Sequence, residues 1–512
     1  MSSEVIITRG YTGFRVQTRD MGLIAALDSL HESLTKPKLQ REHGRIFAIP
    51  GDKYYIPSPK ECGFYYINAM EETVVNLIRN ARTSKPIKII EQRFPEYSGD
   101  SIVFDRHKLT LVETGDYAYQ NDIVEFATEP TRNHTTLEVP TGYGKTKLSM
   151  KTAVKLGKRL LVVTKAGYVD KWIGDLKTDL NLRPGELIKI DGVKGLAEML
   201  HIGLSGRMGK MDKSDKEIKA MVISSHAIDD YIETYLTNEV LVHPTEVLKT
   251  LGVGFLVYDE SHQLFRKNFW SFIMLNIPQL MDLSATLQPD DAFLKLRYRE
   301  RFPPASRYDK LEFEKYIDAF GIMYGIRDYQ LVAKVNRMPM YNHLTFEGWL
   351  SKTKRQQVSY FTMVDQILEK LYFSTYQKGQ KVLVFFSTKQ MCTDFAKWIK
   401  ERHKTFRVER YIQGDKYDIM KKGDIIVSTP GKSGTAVDIP GLIMSLSTVM
   451  IDDTQANLQM LGRTRRSKDF TPKMVYLFCR GIKKHVAYHK KRMTMYRSKV
   501  RNHLVMNTSF NI

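Results

Sequence analysis

Apolar residues recur along this chain as short runs that are separated by longer amphipathic stretches. From about residue 108 onward, the runs alternate with segments of helical periodicity, and they fall into two series. Such alternation is typical of parallel sheets covered by helices on both faces, so the sequence predicts two tandem α/β domains. The expected strands are Leu160–Val163, Met221–Ile223, Phe255–Val257 and Met281–Leu283 in the first series, and Val382–Phe386, Ile425–Val427, Ser447–Ile451 and Val475–Phe478 in the second.

The first 107 residues follow a different pattern. Apolar runs at Val5–Ile7 and Phe14–Val16 predict strands, while Met21–Leu34 and Glu72–Arg82 carry apolar residues at helical spacing. We therefore expect a small α+β accessory domain, which either contacts a partner or serves as a structural cap. The predicted domains are 1–107 for this region, 108–290 for the first α/β domain, 291–485 for the second with its connecting segment, and 486–512 for a basic C-terminal tail.

Basic residues exceed acidic ones by a wide margin. The 512 residues carry 78 Lys and Arg against 57 Asp and Glu, a formal net charge of +21. This excess favours a polyanionic partner, nucleic acid first and an anionic membrane second, although a merely soluble basic protein would share it. From Arg465 to Ile512 there are thirteen Lys and Arg and one acid, Asp469. That density predicts a basic helix or tail gripping duplex phosphates, with a solvated face on a packed helix as the alternative.

The remaining bulk features indicate a protein of the cytoplasm. Cys62, Cys392 and Cys479 are far apart and lack metal-ligand spacing, so we expect neither a disulfide framework nor a zinc site. No apolar run is long enough to span a bilayer, and the first residues show no signal pattern. We therefore expect no membrane partner.

The segment Val139–Thr146 has the composition of a phosphate-binding loop. It follows an apolar lead-in, contains Gly142 and Gly144, and precedes a helical run. Glycines let backbone N–H groups turn onto phosphates, and the helix N-terminus adds partial positive charge. In such a loop Lys145 reaches the β- and γ-phosphates of a nucleotide, and the Thr146 hydroxyl binds Mg²⁺. The alternative is a glycine-bearing turn before an ordinary helix.

Two adjacent carboxylates, Asp259 and Glu260, follow the apolar run Phe255–Tyr258. Ligands of parallel sheets bind at the carboxyl ends of the strands, so this position suits chemistry. Asp259 is expected to hold Mg²⁺, directly or through water, and Glu260 to orient or polarise the attacking water. A helix-capping acidic pair is the alternative, but the phosphate loop upstream favours the catalytic interpretation.

A polar and basic cluster in the second α/β domain adds a third element. Gln459, Arg463 and Arg466 lie close together in sequence, and the two arginines are spaced so that one helical face presents both. A second domain can supply arginines to a nucleotide on the first, and such an arginine finger is worth about 10³–10⁵ in rate. The alternative is a solvated basic start of a helix.

Together, these segments resemble the motifs of superfamily 2 helicases of the DExH type. The resemblance spans about residues 120 to 467 and holds in order as well as in spacing. The size and layout further resemble the phage-encoded UvsW-type helicases, which act on branched DNA. The matching segments are Val139–Thr146, Val162–Trp172, Val222–His226, Asp259–His262, Ser284–Thr286, Val384–Ser387, Val427–Pro440 and Gln459–Arg466.

The resemblance implies two RecA-like domains with ATP and Mg²⁺ bound between them. It assigns adenine recognition to Gln120, which follows an aromatic residue, Tyr119. It also places Gly434 and Asp438 in the segment that couples nucleotide binding to strand movement. The residues that it gathers around the phosphates are Gly142, Gly144, Lys145, Thr146, Asp259, Glu260, Gln459, Arg463 and Arg466.

The same resemblance places one nucleic-acid strand along a groove, where its phosphate backbone is held. Phosphate contacts position a strand without reading its sequence, so we expect structure-selective, sequence-tolerant and salt-dependent binding. The side chains implied in these contacts are Lys165, Lys171, Ser225, Ser387, Thr388, Thr429 and Lys432.

These features predict an ATP-dependent DNA helicase or translocase that unwinds or branch-migrates forked and junction DNA in recombination, replication-fork processing or repair. The N-terminal domain and basic tail would hold the junction, a monomer is favoured, and a phage-encoded protein would work in the host cytoplasm. The alternatives are an RNA helicase or remodeler, a duplex-DNA translocase that does not separate strands, and a non-enzymatic binder. The last is disfavoured by intact Lys145, Asp259, Glu260 and Arg466.

Overall fold

The computed structural model describes residues 3–42, 45–83, 85–109, 118–139, 143–209, 217–287, 289–310, 315–415, 419–433, 439–464, 467 and 469–512. The side chains at positions 39, 41, 42, 45, 46, 432 and 433 are not described. The described residues form two compact units, one up to residue 310 and one from residue 315 onward. None of the helices in these ranges has the length and apolar character to cross a membrane.

The first unit begins with a small α+β region, as the sequence predicts. Its elements are β1 (Ser3–Arg9), β2 (Gly13–Thr18), α1 (Met21–Ser33), β3 (Thr35–Glu42), β4 (Arg45–Lys53), β5 (Ile56–Ser58), β6 (Gly63–Ile67), α2 (Glu71–Asn80) and β7 (Ile87–Arg93). Five strands form one sheet in the order β5-β6-β2-β1-β7, and β3 and β4 form a separate antiparallel hairpin. Helix α1 begins after Asp20, whose Oδ1 accepts the N–H of Leu23 at 3.1 Å.

A six-stranded parallel sheet follows in the same unit. Its elements are α3 (Tyr119–Thr128), β8 (His134–Glu138), α4 (Lys145–Leu156), β9 (Leu160–Thr164), α5 (Val169–Asp179), β10 (Leu187–Ile190), α6 (Gly192–Leu204), β11 (Ala220–Ser224), α7 (Ser225–Thr237), α8 (Val247–Thr250), β12 (Phe255–Asp259), α9 (Phe265–Met274), β13 (Leu280–Ser284) and α10 (Ala292–Arg301). The strand order is β10-β11-β9-β12-β13-β8. All four strands predicted in the first series are present, because continuous apolar runs suit strands buried on both faces.

The N-terminal region packs directly onto α9. The Tyr54 and Phe269 rings meet edge to face with centroids 5.1 Å apart, and Trp270 Nε1 donates to the Lys53 carbonyl at 2.8 Å. Apolar residues of this region and of the parallel sheet belong to one hydrophobic core. The region is therefore part of the first unit and covers the helix that follows Asp259 and Glu260.

The second unit contains a seven-stranded parallel sheet. Its elements are β14 (Asp318–Gly325), α11 (Tyr329–Asn336), α12 (His343–Leu350), α13 (Lys354–Leu371), β15 (Lys381–Phe385), α14 (Lys389–Arg402), β16 (Val408–Tyr411), α15 (Ile419–Lys422), β17 (Ile425–Ser428), α16 (Pro430–Ser433), β18 (Leu442–Ser447), α17 (Thr454–Leu461), β19 (Lys473–Cys479), α18 (Lys483–Tyr496) and β20 (Asn502–Asn511). The strand order is β16-β17-β15-β18-β19-β14-β20.

One predicted strand of the second series is wrong. The segment predicted at Ser447–Ile451 overlaps the observed β18 only at Ser447. Pairing of β18 with β15 ends where Ser447 faces Phe385, and the chain then leaves the sheet. The β-branched and apolar residues after Ser447 are buried beside the sheet, which explains why their pattern imitates a strand.

The predicted C-terminal tail is folded instead. Helix α18 packs with Arg492 and Tyr496 buried, and β20 pairs in parallel with β14 at the edge of the second sheet. Helix α18 therefore fits the alternative considered for this segment, a packed helix with a solvated basic face, better than a free basic tail. At the other predicted boundary, α10 lies beyond residue 290 but belongs to the first unit, where Arg301 binds the Asp282 carboxylate in bidentate fashion at 2.6 and 2.9 Å.

Candidate functional site

The carboxyl edge of the first sheet brings together several residues predicted for the phosphate site. Strands β9, β12 and β13 are neighbours and end at Thr164, Asp259 and Ser284. Helix α4 begins at Lys145. The edge therefore combines a helix N-terminus, a lysine and two acidic side chains, at the position where ligands of parallel sheets bind.

Lys145 is buried against an acidic partner. Its Nζ lies 3.1 Å from Glu260 Oε1, and the two side chains are only 9% and 7% exposed. Gly144 precedes it with a φ of +75°, a left-handed conformation that disfavours residues with a Cβ atom. Burial of a charge is costly unless it is paired, so each of these charges compensates the other.

Asp259 is held by two residues that the sequence did not single out. Its Oδ2 accepts hydrogen bonds from Trp172 Nε1 at 2.7 Å and from Thr164 Oγ1 at 3.1 Å. Burial, followed by the charge of Glu260, raises the pKa of the Asp259 carboxyl. No described residue donates a hydrogen bond to the other carboxylate oxygen, Oδ1. In the sequence, the one indication of Thr164 and Trp172 is that both lie in the motif segment Val162–Trp172.

Glu260 sits at a sharp turn after β12. Its φ is +48°, in the left-handed region that non-glycine residues rarely adopt. Its Oε2 lies 3.5 Å from His262 Nδ1, which also contacts Ser284 Oγ at 2.7 Å. Ser284 in turn donates to the Thr286 carbonyl at 2.7 Å. The turn thus connects the acidic pair to the end of β13, a link that a lone histidine does not reveal from sequence.

Gln120 lies beside the phosphate loop. Its Oε1 accepts a hydrogen bond from Lys151 Nζ at 2.7 Å, and its side chain is buried. A Cβ atom added at Gly144 would meet Gln120 Nε2 at 2.9 Å. The preceding residue, Tyr119, donates its hydroxyl to the Tyr143 carbonyl at 2.8 Å. The pair predicted to recognise the base, Tyr119 and Gln120, therefore lies next to the loop. Thr146, the predicted Mg²⁺ ligand, is half-buried in the first turn of α4.

The strand-contact residues predicted in the first unit differ in exposure. Lys165 and Lys171 are exposed, in the loop after β9 and near the start of α5. Ser225, the first residue of α7, is buried, and its hydroxyl lies 3.4 Å from the Thr164 carbonyl. Lys165 and Ser225 follow neighbouring strands at the same sheet edge, because Thr164 pairs with Ser224.

In the second unit, the predicted contacts also follow neighbouring strands. Ser387 and Thr388 come after β15, Thr429 comes after β17, and the two strands pair in parallel up to Phe385 and Ser428. Ser387, Thr388 and Thr429 are half-buried. Thr388 begins α14, because its Oγ1 accepts the N–H of Met391 at 3.1 Å.

Gln459 and Arg463 lie at the end of α17 and just beyond it. The Arg463 Nε donates to the Gln459 carbonyl at 3.1 Å, and the Arg463 side chain is buried. Five other predicted site residues are not described by the structure, four of them entirely and one in its side chain. They are Gly142, Gly434, Asp438 and Arg466 as whole residues, and Lys432 as a side chain.

Comparison with known proteins supports part of this picture. Residues 113–289 match the family model described as "Type III restriction enzyme, res subunit". No curated protein sequence matches the chain. Among solved structures, an HsdR-subunit fragment of a type I restriction enzyme from Vibrio vulnificus YJ016 is similar at 12% identity and a TM-score of 0.49, covering 100% of this chain and 93% of that one. S. cerevisiae Dbp5 bound to RNA and ADP–BeF3 is similar at 11% identity and a TM-score of 0.46, covering 76% of this chain and 89% of that one.

The family match includes Lys145, Asp259 and Glu260. It covers residues 113–289 of the 512 and therefore bears on the first parallel sheet and its carboxyl edge.

Proposed function

We propose that the chain is an ATP-driven motor of the DExH type that acts on branched DNA. The observation that carries the proposal is the cluster of Lys145, Glu260 and Asp259 at the carboxyl edge of the first sheet. A lysine at a helix N-terminus, beside one metal-binding and one water-orienting carboxylate, is what transfer of a nucleotide γ-phosphate to water needs.

The residues present fit ATP and Mg²⁺. Lys145 binds a negatively charged oxygen of Glu260, and a nucleotide phosphate would offer it a negatively charged oxygen in the same way. Lys145 would exchange Glu260 for the phosphates, and the exchange would release Glu260 to accept a proton from water or orient it. Asp259, fixed through Oδ2 by Trp172 and Thr164, would offer Oδ1 to the metal together with the Thr146 hydroxyl. Mg²⁺ would neutralise phosphate charge there.

The choice of DNA as substrate rests on charge and on the resemblance to branched-DNA helicases. The net charge of +21 suits a partner with a dense phosphate backbone, and binding should weaken steeply with salt. Lys165, Lys171, Ser387 and Thr429 are the described residues that we propose as strand contacts. We further propose that Gln120 recognises adenine and that Arg463 and Arg466 complete the site from the second, RecA-like unit.

A second candidate is a duplex-DNA translocase that never separates strands. The match to the res subunit of a type III restriction enzyme favours it, because a restriction enzyme acts on duplex DNA and a subunit works within an assembly. Strand-displacement and triplex-displacement assays distinguish the two candidates. A translocase displaces a third strand but leaves a fork intact.

The first test is the ATPase rate without nucleic acid, with single strands, with a four-way DNA junction and with structured RNA. We expect the junction to stimulate most. Equal or greater stimulation by RNA would contradict the branched-DNA proposal and leave the motor proposal intact.

The Lys145→Ala variant tests the site itself. It should abolish ATPase and unwinding while DNA binding persists. The reason is that, in the proposal, the lysine binds the phosphates of ATP and does not contact the DNA strand. Lys155→Ala, an exposed lysine on the same helix, is the matched control and should behave as the wild type. Retained unwinding by Lys145→Ala would refute the site.

A further inference from the structure

A buried glutamate lies behind the loop that follows β15 in the second unit. Glu347, on α12, has no exposed surface. Its two carboxylate oxygens accept the backbone N–H groups of Ser387 and Thr388, at 2.7 Å on Oε1 and 2.8 Å on Oε2. Hydrogen bonds to a charged acceptor are the stronger ones, and two from successive residues fix both position and orientation of the loop.

The same carboxylate also touches the end of the neighbouring strand. Thr448, which follows β18, has its Oγ1 3.4 Å from Glu347 Oε1 and donates to the Phe385 carbonyl at 2.8 Å. His343, one turn earlier on α12, has its Nε2 3.6 Å from Oε1. Glu347 therefore holds the ends of two adjacent strands together at the carboxyl edge of the sheet.

This arrangement decides which groups of the loop remain for a ligand. Backbone N–H groups where a strand leads into a helix are a common anion site. Here the chain's own carboxylate occupies the N–H groups of Ser387 and Thr388, and the Thr388 hydroxyl is engaged in capping α14. Ser387 is half-buried, and its hydroxyl makes no hydrogen bond to any described residue.

We infer that Glu347 is a positioning residue for the nucleic-acid contact of the second unit, and that Ser387 Oγ is the group it presents to a strand phosphate. Glu347 binds the amides of Ser387 and Thr388 and thereby fixes the backbone that carries the half-buried Ser387 side chain. The inference rests on the proposed function, since it concerns the strand that the motor would hold.

The test is a titration of the ATPase, and of fluorescence anisotropy, with a labelled single-stranded oligonucleotide. In Glu347→Gln only one side-chain oxygen remains, and the amide NH₂ faces a backbone N–H. We expect the half-saturating oligonucleotide concentration to rise about tenfold in both readouts, the cost of about one charged hydrogen bond. The saturated ATPase rate and the KM for ATP should stay unchanged. An unchanged half-saturation with a lowered unfolding temperature would show a merely structural role and overturn the inference.

Two further variants keep the test sharp. Ser387→Ala removes the contact without touching Glu347, so it should raise half-saturation similarly while the unfolding temperature stays constant; wild-type binding by this variant would overturn the inference even if Glu347→Gln failed to fold. Glu401→Gln, an exposed glutamate on α14, is the control and should change nothing. Failure of the proposed function has a separate signature, namely a wild-type chain that no nucleic acid stimulates or binds.

Discussion

Each parallel sheet carries a buried glutamate at its carboxyl edge, and the two glutamates have opposite kinds of partner. Glu260 in the first unit faces the side-chain ammonium of Lys145 at 3.1 Å. Glu347 in the second unit faces two backbone N–H groups at 2.7 and 2.8 Å. An ammonium on a long side chain can move to another anion, whereas backbone amides at the end of a strand cannot move without unfolding the edge.

At the first edge, Lys145 can therefore exchange Glu260 for another anion, whereas at the second edge the backbone contacts of Glu347 are fixed. At the first edge, the compensating charge for Glu260 comes from the end of a long side chain, Lys145, and Glu260 itself has a left-handed φ. At the second edge, Thr448 and His343 surround the carboxylate on further sides. We therefore expect substitutions at the first edge to act mainly on chemistry and those at the second mainly on binding geometry and stability.

After Lys145→Ala, the largest expected effect is that of Glu260→Gln. The amide cannot take a proton from water and holds Lys145 less strongly, so nucleic-acid-stimulated ATPase should fall about 10²–10³-fold. The free energy of unfolding in urea should fall as well, because the amide leaves the buried Lys145 ammonium without a compensating charge. Glu233→Gln, a largely exposed glutamate on α7, is the control. A variant with wild-type turnover would show that Glu260 is only the structural partner of Lys145.

The sequence predicted the first edge well because its signals are local. Lys145 follows a glycine-bearing loop, and Asp259 and Glu260 follow an apolar strand, so each could be recognised from its own neighbours. The strands were predictable for the same reason, since runs buried on both faces leave continuous apolar segments. The strand predicted at Ser447–Ile451 failed because apolar residues after β18 are equally buried without pairing.

The second edge was not predictable in the same way. Glu347 is 40 residues from Ser387, and a single glutamate in a helix is normally a solvated residue. The one available signal is that it is the only acidic residue in an otherwise mostly apolar helix, His343–Leu350. The contacts of Trp172 and Thr164 with Asp259 were hidden likewise, because they join residues 87 and 95 positions apart.

Arg492→Ala tests whether the charges of the second unit are structural. Arg492 is 1% exposed, stacks 4.6 Å from the Tyr476 ring centroid, and donates to Asn457 Oδ1. Truncation leaves a cavity and an unpaired amide oxygen, so the free energy of unfolding should drop by about 2–4 kcal/mol. Lys490→Ala, exposed on the same helix, should change it by less than about 0.5 kcal/mol. Equal stability of the two variants in urea unfolding would contradict a structural Arg492.

A further glutamate, Glu300 on α10, extends the comparison, because its side chain is 11% exposed and its partner is an arginine, Arg297. Burial raises the pKa of Glu300 to about 7, although Arg297 Nη1 lies 3.0 Å from its carboxylate. The folded state therefore binds a proton more tightly than the unfolded state, and stability is lost as pH rises from about 4.5 to above 7.

Glu300→Gln should remove that pH dependence. At pH 8 the variant should be more stable than the wild type by at most about 3 kcal/mol, and at pH 4 the two should match. Urea unfolding at both pH values measures this. Parallel stability curves across the range would show that Arg297 compensates the ionised carboxylate fully.

The smallest expected effect is that of Gly144→Ala, compared with Gly157→Ala at the other end of α4. Both glycines are left-handed, with φ of +75° and +60°, so each substitution should cost about 1–2 kcal/mol of strain. They differ in surroundings, because the new Cβ would lie 2.9 Å from Gln120 Nε2 at position 144 but 3.4 Å from a backbone oxygen at position 157. Only Gly144→Ala should therefore raise the KM for ATP, by displacing Gln120. If the two variants had the same KM for ATP and lost the same stability, Gln120 would have no part in nucleotide binding. Nucleotide binding at the first edge would then rest on Lys145, Asp259 and Glu260.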